Sequence, residues 1–177
     1  MEQFSLFDPA VAGELNIVRD GLFTPSFTLT DGVNHFGELS YAGNWRRVGL
    51  VETNQKSWTI AFGKLFSRDL LINETLTGET IAVVKTSLWR GRVSVEFTDG
   101  QRFFFIREGI FSGKQCWYSE QYGNVVSIKS RPFGYKRPFT VNFEQGPYHY
   151  SNYLLLLTFL SVHLILIRRR RAAASIH

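Results

Sequence analysis

Residues 14–143 alternate apolar and polar side chains in short runs, which is the pattern of half-buried β-strands. Residues 91–98 show it plainly, because Val93, Val95 and Phe97 alternate with polar or charged side chains. β-branched and aromatic residues, which favour strands, dominate these runs. The pattern predicts twelve strands, at about residues 14–19, 26–31, 34–41, 45–53, 57–62, 69–74, 79–86, 91–98, 101–107, 115–120, 124–130 and 138–143.

Turn signals separate the predicted strands at a regular interval. Asp31-Gly32 and Asp99-Gly100 are strong signals for a two-residue hairpin turn, in which both central residues take positive φ. Weaker signals continue the series, so that turns recur every 22 or 23 residues, at positions 32, 55, 78, 100, 123 and 146. A simple meander and an internal duplication both explain this interval, and either one predicts antiparallel hairpins.

The number of predicted strands indicates whether the sheet is open or closed. Twelve antiparallel strands in an open sheet would leave exposed edges, which closure into a barrel removes. A barrel of about eight strands is filled by its own side chains, whereas a larger barrel has a wider lumen. The sequence therefore predicts a mainly β protein, with a closed antiparallel barrel of about twelve strands whose lumen holds another element.

An apolar segment near the end of the chain is the candidate for that element. Residues 153–167 contain no Asp, Glu, Lys or Arg, and four arginines follow at 168–171. Ser151 or Asn152 can cap the start of a helix, and the arginines complement the helix dipole at its end. Because its few polar residues share no face, the predicted helix over 151–171 is apolar all round along residues 153–167, and this part must be buried on every side.

Lipid and the interior of a protein both satisfy such a helix. Tyr148, Tyr150 and Tyr153 resemble an interfacial aromatic belt, and the arginines would hold the cytoplasmic side of a membrane. Fifteen residues, however, span about 22 Å, which is shorter than the hydrocarbon core of about 30 Å. His163 would add a further cost inside a bilayer. The sequence favours a helix inside the barrel, with a membrane span at 153–167 as the alternative.

The order of these elements resembles a known superfamily. The matching stretches are the hairpins TLTDGVNHFGEL and VSVEFTDGQRFFFI and the terminal SNYLLLLTFLSVHLILI. They are similar to the superfamily of tubby C-terminal domains, phospholipid scramblases and plant LURP-one-related proteins, in architecture and order over about residues 14–171. The resemblance implies a closed twelve-stranded barrel around a central hydrophobic helix, which strengthens the prediction that the helix is buried in protein.

The chain also departs from parts of that superfamily. Scramblases carry a proline-rich leader, a cysteine-rich patch and an acidic calcium segment before the helix, whereas this chain has a single cysteine and only Glu144 in residues 142–153. Calcium-dependent scrambling is therefore not expected. Tubby domains bind phosphoinositide headgroups through basic residues on the barrel surface, and the resemblance transfers none of those residues to particular positions here.

Catalytic patterns are missing from the sequence. The four histidines have no metal-ligand spacing, and His163 is expected to be a hydrogen-bonded core residue. Cys116 lies on a predicted strand, where a small core hydrophobe is a better interpretation than a nucleophile. Glycine-rich phosphate loops, nucleophile elbows and zinc patterns do not occur. We therefore expect a protein that is not an enzyme and that uses no cofactor and no metal.

Charge is concentrated in a few places. The net charge is +5, and the arginines at 168–171 supply most of it, so the rest is nearly neutral and a nucleic-acid partner is not expected. Basic and aromatic residues interleave over 129–139, a pattern that suits an anionic membrane surface, although an ordinary solvated loop also explains it. Arg46-Arg47 and Arg90 with Arg92 are weaker candidates for contact with an anionic membrane surface. The candidate contacts to an anionic ligand are Lys129, Arg131, Lys136, Arg137, Arg168, Arg169, Arg170 and Arg171.

These features predict one domain over 1–177. Residues 1–13 form an N-terminal extension, 14–143 the barrel, 151–171 the helix and 172–177 a tail. The start of the chain lacks secretory-signal features and the single cysteine suits a reducing compartment, so we expect a cytoplasmic protein, peripheral to or anchored in a membrane. The predicted function is a non-enzymatic binding module for anionic lipid headgroups of the phosphoinositide type or for a protein. The alternative is a tail-anchored membrane protein with a cytoplasmic β domain.

Overall fold

Twelve strands and one helix make up the fold, in a computed structural model that describes residues 4–10, 12–22, 24–41, 48–63, 69–86, 93–109, 112–131, 133–144 and 151–174. All twelve predicted strands are confirmed within a few residues at each end, while positions 45–47 and 91–92 of two predicted strands lie outside the described residues. The strands are β1 (Leu15–Asp20), β2 (Ser26–Thr30), β3 (His35–Tyr41), β4 (Val48–Thr53), β5 (Ser57–Phe62), β6 (Leu70–Glu74), β7 (Thr80–Thr86), β8 (Val93–Phe97), β9 (Arg102–Glu108), β10 (Lys114–Ser119), β11 (Gly123–Ser130) and β12 (Phe139–Phe143). The helix α1 spans Ser151–Ala174.

The sheet closes on itself, as predicted. Each strand pairs antiparallel with the next one along the chain, and β1 pairs with β12 to close the barrel. In this closing pair Leu15 lies opposite Val141 and Ile17 opposite Phe139, and all four side chains are buried. Because side chains alternate across a strand, the apolar positions of the sequence pattern line the lumen.

The antiparallel order places alternate connections at opposite ends of the barrel. One end, which we call the turn end, carries the short connections 31–34, 54–56, 75–79, 98–101 and 120–122. Successive turns at this end are separated by two strands and their connections, which is the 22- or 23-residue interval of the sequence. The opposite end, which we call the basic end, carries Arg19, residues 131 and 133–138, and Arg168 to Arg171 at the end of α1.

The geometry of the strongest turns differs from the sequence prediction. The β2–β3 and β8–β9 connections have four residues rather than two, and among the described residues only glycines have positive φ. Gly32 and Gly100 take φ of +102° and +88°, whereas Asp31 acts as a local acceptor. Its Oδ1 accepts hydrogen bonds from the amides of Val33 and Asn34 at 2.8 and 2.7 Å. The aspartate therefore stabilises the turn through its side chain and not through its backbone conformation.

Helix α1 fills the lumen, which confirms the predicted buried helix. It begins at the turn end and leaves at the basic end, three residues beyond the predicted end at 171. Leu156 to Val162 are all at most 1% exposed, and they include the largest apolar side chains of the helix. The side chains of Ser151 and Asn152 lie outside the described residues, as do Tyr148 and Tyr150. In the described part of the chain, no helix has both the length and the apolar character that crossing a membrane requires.

The polar side chains of the buried helix are hydrogen-bonded. Thr158 and Ser161 donate to backbone carbonyls one turn earlier in α1, each at 2.8 Å. Trp117 on β10 points into the lumen, and its Nε1 donates to the carbonyl of Leu157 and to Ser161 Oγ, both at 2.8 Å. These bonds fix the barrel wall to the helix, since a buried indole N–H without a partner would be costly.

Two glycines on the barrel wall make room for the helix. A Cβ at Gly37 on β3 would lie 2.7 Å from the carbonyl oxygen of Glu52 and 3.0 Å from the ring of Phe159. A Cβ at Gly49 on β4 would lie 3.4 Å from the imidazole of His163. Both glycines therefore allow large side chains of α1 to approach the sheet closely.

The N-terminal segment packs against the turn end. The ring of Phe7 contacts those of Phe36 and Phe143, with centroids 5.6 and 4.8 Å away. The amide of Ser5 donates to the carbonyl of His35 at 2.8 Å. Residues within the predicted extension thus cover part of the barrel where the helix enters.

Candidate anion-binding site at the basic end of the barrel

Three arginines from different elements line one recess at the basic end. Arg19 comes from the end of β1, Arg131 from the β11–β12 connection and Arg169 from the end of α1. The recess has a volume of about 310 Å³. Its apolar lining residues include Phe27, Phe133, Tyr135, Phe139 and Leu166. We call this cavity the arginine recess.

Arg19 is the least exposed of the three arginines. Leu15 and Ile17 face the lumen, so the alternation of β1 directs Arg19 to the same side, opposite Phe27 on β2. Its guanidinium carbon lies 4.6 Å from the ring centroid of Tyr135, within the range of a cation–π contact. The Nε atom is buried and has no hydrogen-bond partner within the described part of the chain. A buried donor of this kind favours an acceptor that enters the recess.

Arg131 is held at the rim by protein contacts. Its Nε donates to Thr140 Oγ1 at 2.9 Å, and one terminal nitrogen lies 3.7 Å from Glu14. Both partners of this ion pair are largely exposed, so the pair itself contributes little to stability. The contacts orient the guanidinium while its outer edge remains exposed to solvent.

Arg169 completes the recess from the helix side. Its guanidinium carbon lies 5.3 Å above the ring of Phe139, and the side chain is exposed. Because Arg169 is on the helix and Arg19 on the wall, the recess forms only when α1 occupies the lumen. The two arginines are 150 positions apart in the chain.

The connection between β11 and β12 presents two aromatic side chains beside these charges. Phe133 is 101% exposed and Tyr135 57% exposed. The amide of Arg131 donates to the carbonyl of Pro138 at 2.9 Å, which closes the connection at its base. A Cβ at Gly134 would collide with the carbonyl of Arg137, so this tight path requires glycine. Single exposed apolar side chains also occur elsewhere, at Val33 and Leu76 for example, and Phe133 differs from these in lining a recess together with three arginines.

The other predicted residues occupy four different positions around the basic end. Lys129 is exposed on β11, and Lys136 and Arg137 are exposed in the connection that follows it. Arg168 donates to Gln115 Oε1 at 3.0 Å and lies 5.6 Å from the ring of Phe105, and burial lowers its pKa.

The last two arginines of the run, Arg170 and Arg171, line a separate recess on the other side of α1. Arg46, Arg47, Arg90 and Arg92 lie outside the described residues. The structure thus brings Arg131 and Arg169 together and distributes the remaining predicted residues around the same end.

Sequence reasoning missed Arg19. It belongs to a strand with an apolar inward face, and its inward direction follows from the alternation with Leu15 and Ile17. The sequence signal was therefore a charged residue at an apolar position of a strand, close to the end of that strand. Such a residue can lie at a barrel mouth without being deeply buried.

Catalytic groups are not assembled at this site. Within the described part of the chain, no three His, Cys, Asp or Glu side chains are placed to bind a metal ion. Cys116 is buried as predicted, but the register places it opposite Ile106 and Ser127 on the outer side of the sheet, not in the core cluster. Burial raises the pKa of the Cys116 thiol to about 12, so it remains protonated at neutral pH.

Comparisons of the chain with protein-family models, with curated proteins and with solved structures find no match. The geometry of the basic end is therefore the basis for the function proposed for this chain.

Proposed function

We propose that the protein is a non-enzymatic binding module that attaches to anionic membrane surfaces through the basic end of its barrel. The observation that carries the proposal is the arginine recess, with Arg19, Arg131 and Arg169 around one opening and the exposed Phe133 beside it. A phosphorylated lipid headgroup supplies acceptor oxygens for the guanidinium groups. The resemblance to tubby domains, which bind such headgroups, is consistent with this proposal.

The arrangement suits a membrane better than a free anion. Lys136, Arg137 and Lys129 are exposed around the same end, so their charges act together on an extended anionic surface. Each basic residue close to such a surface contributes about 1 kcal/mol, and a fully exposed aromatic ring can enter the interface between headgroups and acyl chains. Phe133 and Tyr135 expose much less surface than the roughly 800 Å² that each partner buries in a stable protein–protein interface.

Vesicle co-sedimentation tests the proposal. The full chain is mixed with phosphatidylcholine vesicles and with vesicles that also contain phosphatidylserine or a phosphoinositide. We expect binding only to the anionic vesicles, and weaker binding as salt increases, because salt screens exposed charges. Replacing Arg169 by Gln should lower the partition coefficient about fivefold, which corresponds to about 1 kcal/mol.

Lys56→Gln is the matched control. It also removes one positive charge, but Lys56 lies at the turn end, in the connection 54–56. Equal losses for Arg169→Gln and Lys56→Gln would show that net charge alone drives binding and would contradict a site at the basic end. Absence of binding to every anionic vesicle at low salt would overturn the proposal.

The tail-anchor alternative makes the opposite prediction for the same samples. It requires the apolar side chains of residues 153–167 to face lipid, so the chain should bind neutral vesicles and resist extraction by high salt. A chain that purifies without detergent and leaves vesicles at high salt would contradict the anchor. In the structure, Leu156, Phe159 and Leu160 are fully buried within the barrel.

A further inference from the structure

A second recess lies on the other side of the helix end, between α1 and the ends of β3 and β5. Its volume is about 300 Å³. The lining is mainly apolar, with Phe62, Leu166 and Ile167 as its walls, and Arg170 and Arg171 also line it. Tyr41 and His163 also line the recess, and they lie closer to the centre of the barrel. We call this cavity the His163 recess.

His163 is the unusual member of this lining. It is 2% exposed, and its Nδ1 lies 3.0 Å from the hydroxyl of Tyr41, with the two rings stacked at 5.7 Å. Its Nε2 is buried and has no hydrogen-bond partner in the described part of the chain. The hydroxyl of Thr158 and that of Ser161 on the same helix both have partners. The ring therefore has one buried nitrogen without a partner among the described residues, beside a cavity whose walls are mainly apolar.

The protonation of this pair defines what Nε2 can bind. Burial lowers the pKa of His163 to about 4 and raises the pKa of Tyr41, so at neutral pH the imidazole is uncharged and the phenol protonated. When the phenol donates to Nδ1, the ring proton is on Nε2, which is then a donor. A donor of this kind requires an acceptor oxygen, and leaving it without one costs about 1–3 kcal/mol.

Positive charge is the second feature of the recess. The guanidinium of Arg170 is close enough to lower the pKa of both His163 and Tyr41. Acidic residues do not occur among the described residues that line the cavity. A carboxylate or phosphate near Arg170 would thus meet favourable charge, and an alkyl chain would cover the apolar walls.

We infer that the His163 recess binds a single-chain anionic amphiphile, with an acidic headgroup between Arg170 and His163 Nε2 and an alkyl chain along Phe62, Leu166 and Ile167. Nε2 is covered in the structure described, so an acceptor reaches it after a side-chain adjustment of the kind that binding sites commonly make. This site shares Leu166 with the arginine recess but none of its arginines, and the inference does not depend on the proposed membrane attachment.

Calorimetric titration with decanoate, decyl phosphate and decanol, each below its micellar concentration, tests the inference. The two anions should bind at least about fivefold more tightly than decanol, because only they use the charge of Arg170. A difference between decanoate and decyl phosphate then identifies the headgroup. Equal binding of decanol, or no binding of either anion, would overturn the inference.

Two variants locate the binding site. Ile167→Trp should fill the cavity and abolish decanoate binding, with circular dichroism to confirm the fold, and Arg170→Gln should weaken it about fivefold. Arg169 lies in the arginine recess, so Arg169→Gln should leave decanoate binding unchanged while it lowers attachment to anionic vesicles.

In NMR spectra of ring ¹⁵N, decanoate should shift the Nε2 signal of His163, and an unchanged signal would exclude the proposed contact between His163 and the headgroup.

Discussion

The two ends of the barrel differ in charge and in how the chain is held. At the turn end, the connections carry Asp31, Glu79, Asp99 and Glu120 against the single base Lys56. There Tyr153 of α1 donates to Asp99 at 2.7 Å and stacks on Phe97 with ring centroids 3.9 Å apart. At the basic end, arginines surround the mouth, and Phe133 is fully exposed.

This difference indicates a division of roles along one helix. The N-terminal part of α1 is bound to the wall by specific hydrogen bonds and ring contacts, which stabilise the fold. Its C-terminal part places arginines beside two recesses, whose linings include Arg19 and His163. Among the described residues Arg19 Nε and His163 Nε2 are buried without a hydrogen-bond partner, as are Asn16 Oδ1 and Gln101 Oε1 toward the turn end. An unsatisfied buried group lowers stability, and a bound molecule that supplies the missing partner is one explanation for its presence. The predictions that follow test this division, beginning with the largest expected change in stability.

Trp117→Ala should give the largest effect, since this residue joins the wall to α1 between the two ends. The change removes a fully buried indole and both of its hydrogen bonds, and it should lower the free energy of unfolding by about 3–5 kcal/mol. Urea denaturation followed by circular dichroism measures it. Trp117→Phe keeps most of the volume and should cost less, so equal losses would show that volume does not determine the effect.

Stability should also depend on pH through His163 near the basic end. Its pKa is about 4 in the fold and about 6.5 when unfolded. Above pH 6.5 both states are neutral, and the stability is fully present. Between pH 6.5 and 4 only the unfolded chain takes up the proton, so stability falls by at most about 1.4 kcal/mol per pH unit, and below pH 4 the loss stops growing.

Comparison with His163→Gln isolates this effect, because carboxylates titrate in both proteins. Urea midpoints measured from pH 7 to pH 4.5 should fall more steeply for the natural chain than for the variant. Parallel curves would mean that the unfolded state gains no extra proton at this position, and that His163 is not buried in the neutral form.

Tyr153→Phe should have a moderate effect that is specific to the turn end. The variant keeps the ring stacked on Phe97 but loses the hydrogen bond to Asp99, which should cost about 1 kcal/mol. Tyr135→Phe at the basic end is the matched control, since that hydroxyl is largely exposed, and its removal should leave the urea midpoint unchanged. If the two changes cost the same, the proposed difference between the ends is wrong.

Phe133→Ser should have the smallest effect on stability and a clear effect on attachment. The side chain is fully exposed, so the free energy of unfolding should change by no more than about 0.5 kcal/mol. The fraction bound to anionic vesicles should nevertheless fall. Unfolding and co-sedimentation measured on the same preparation separate the two properties, and a large loss of stability would assign Phe133 to the fold instead.

The sequence predicts the fold well because period-two alternation and an apolar helix each leave few alternatives. Twelve paired strands need closure and a filled lumen, and residues 153–167 were the only apolar segment long enough to fill it. Turn geometry was less predictable, since Asp31 uses its side chain where a left-handed backbone was expected. The β2–β3 pair also contains a register shift between Leu29 and Thr30, which alternation alone does not indicate.

The candidate site was only partly predictable for a related reason. Arg131 and Arg169 were both identified as basic residues, but their convergence with Arg19 depends on strand register and on the helix position within the lumen. The unused Nε2 of His163 depends on which neighbour takes Nδ1, and that neighbour is Tyr41, 122 positions away in the chain. Sequence patterns describe single elements, whereas both recesses lie where several elements meet.

The position of α1 after all twelve strands has a consequence for how the chain folds. Every strand is synthesised before the helix that fills the lumen, and closure between β1 and β12 joins segments separated by more than a hundred residues. Contacts of such long range fold slowly, and unpaired strand edges favour aggregation. The nascent barrel therefore cannot complete its core during synthesis of the strands, and a chaperone that covers those edges should increase its yield.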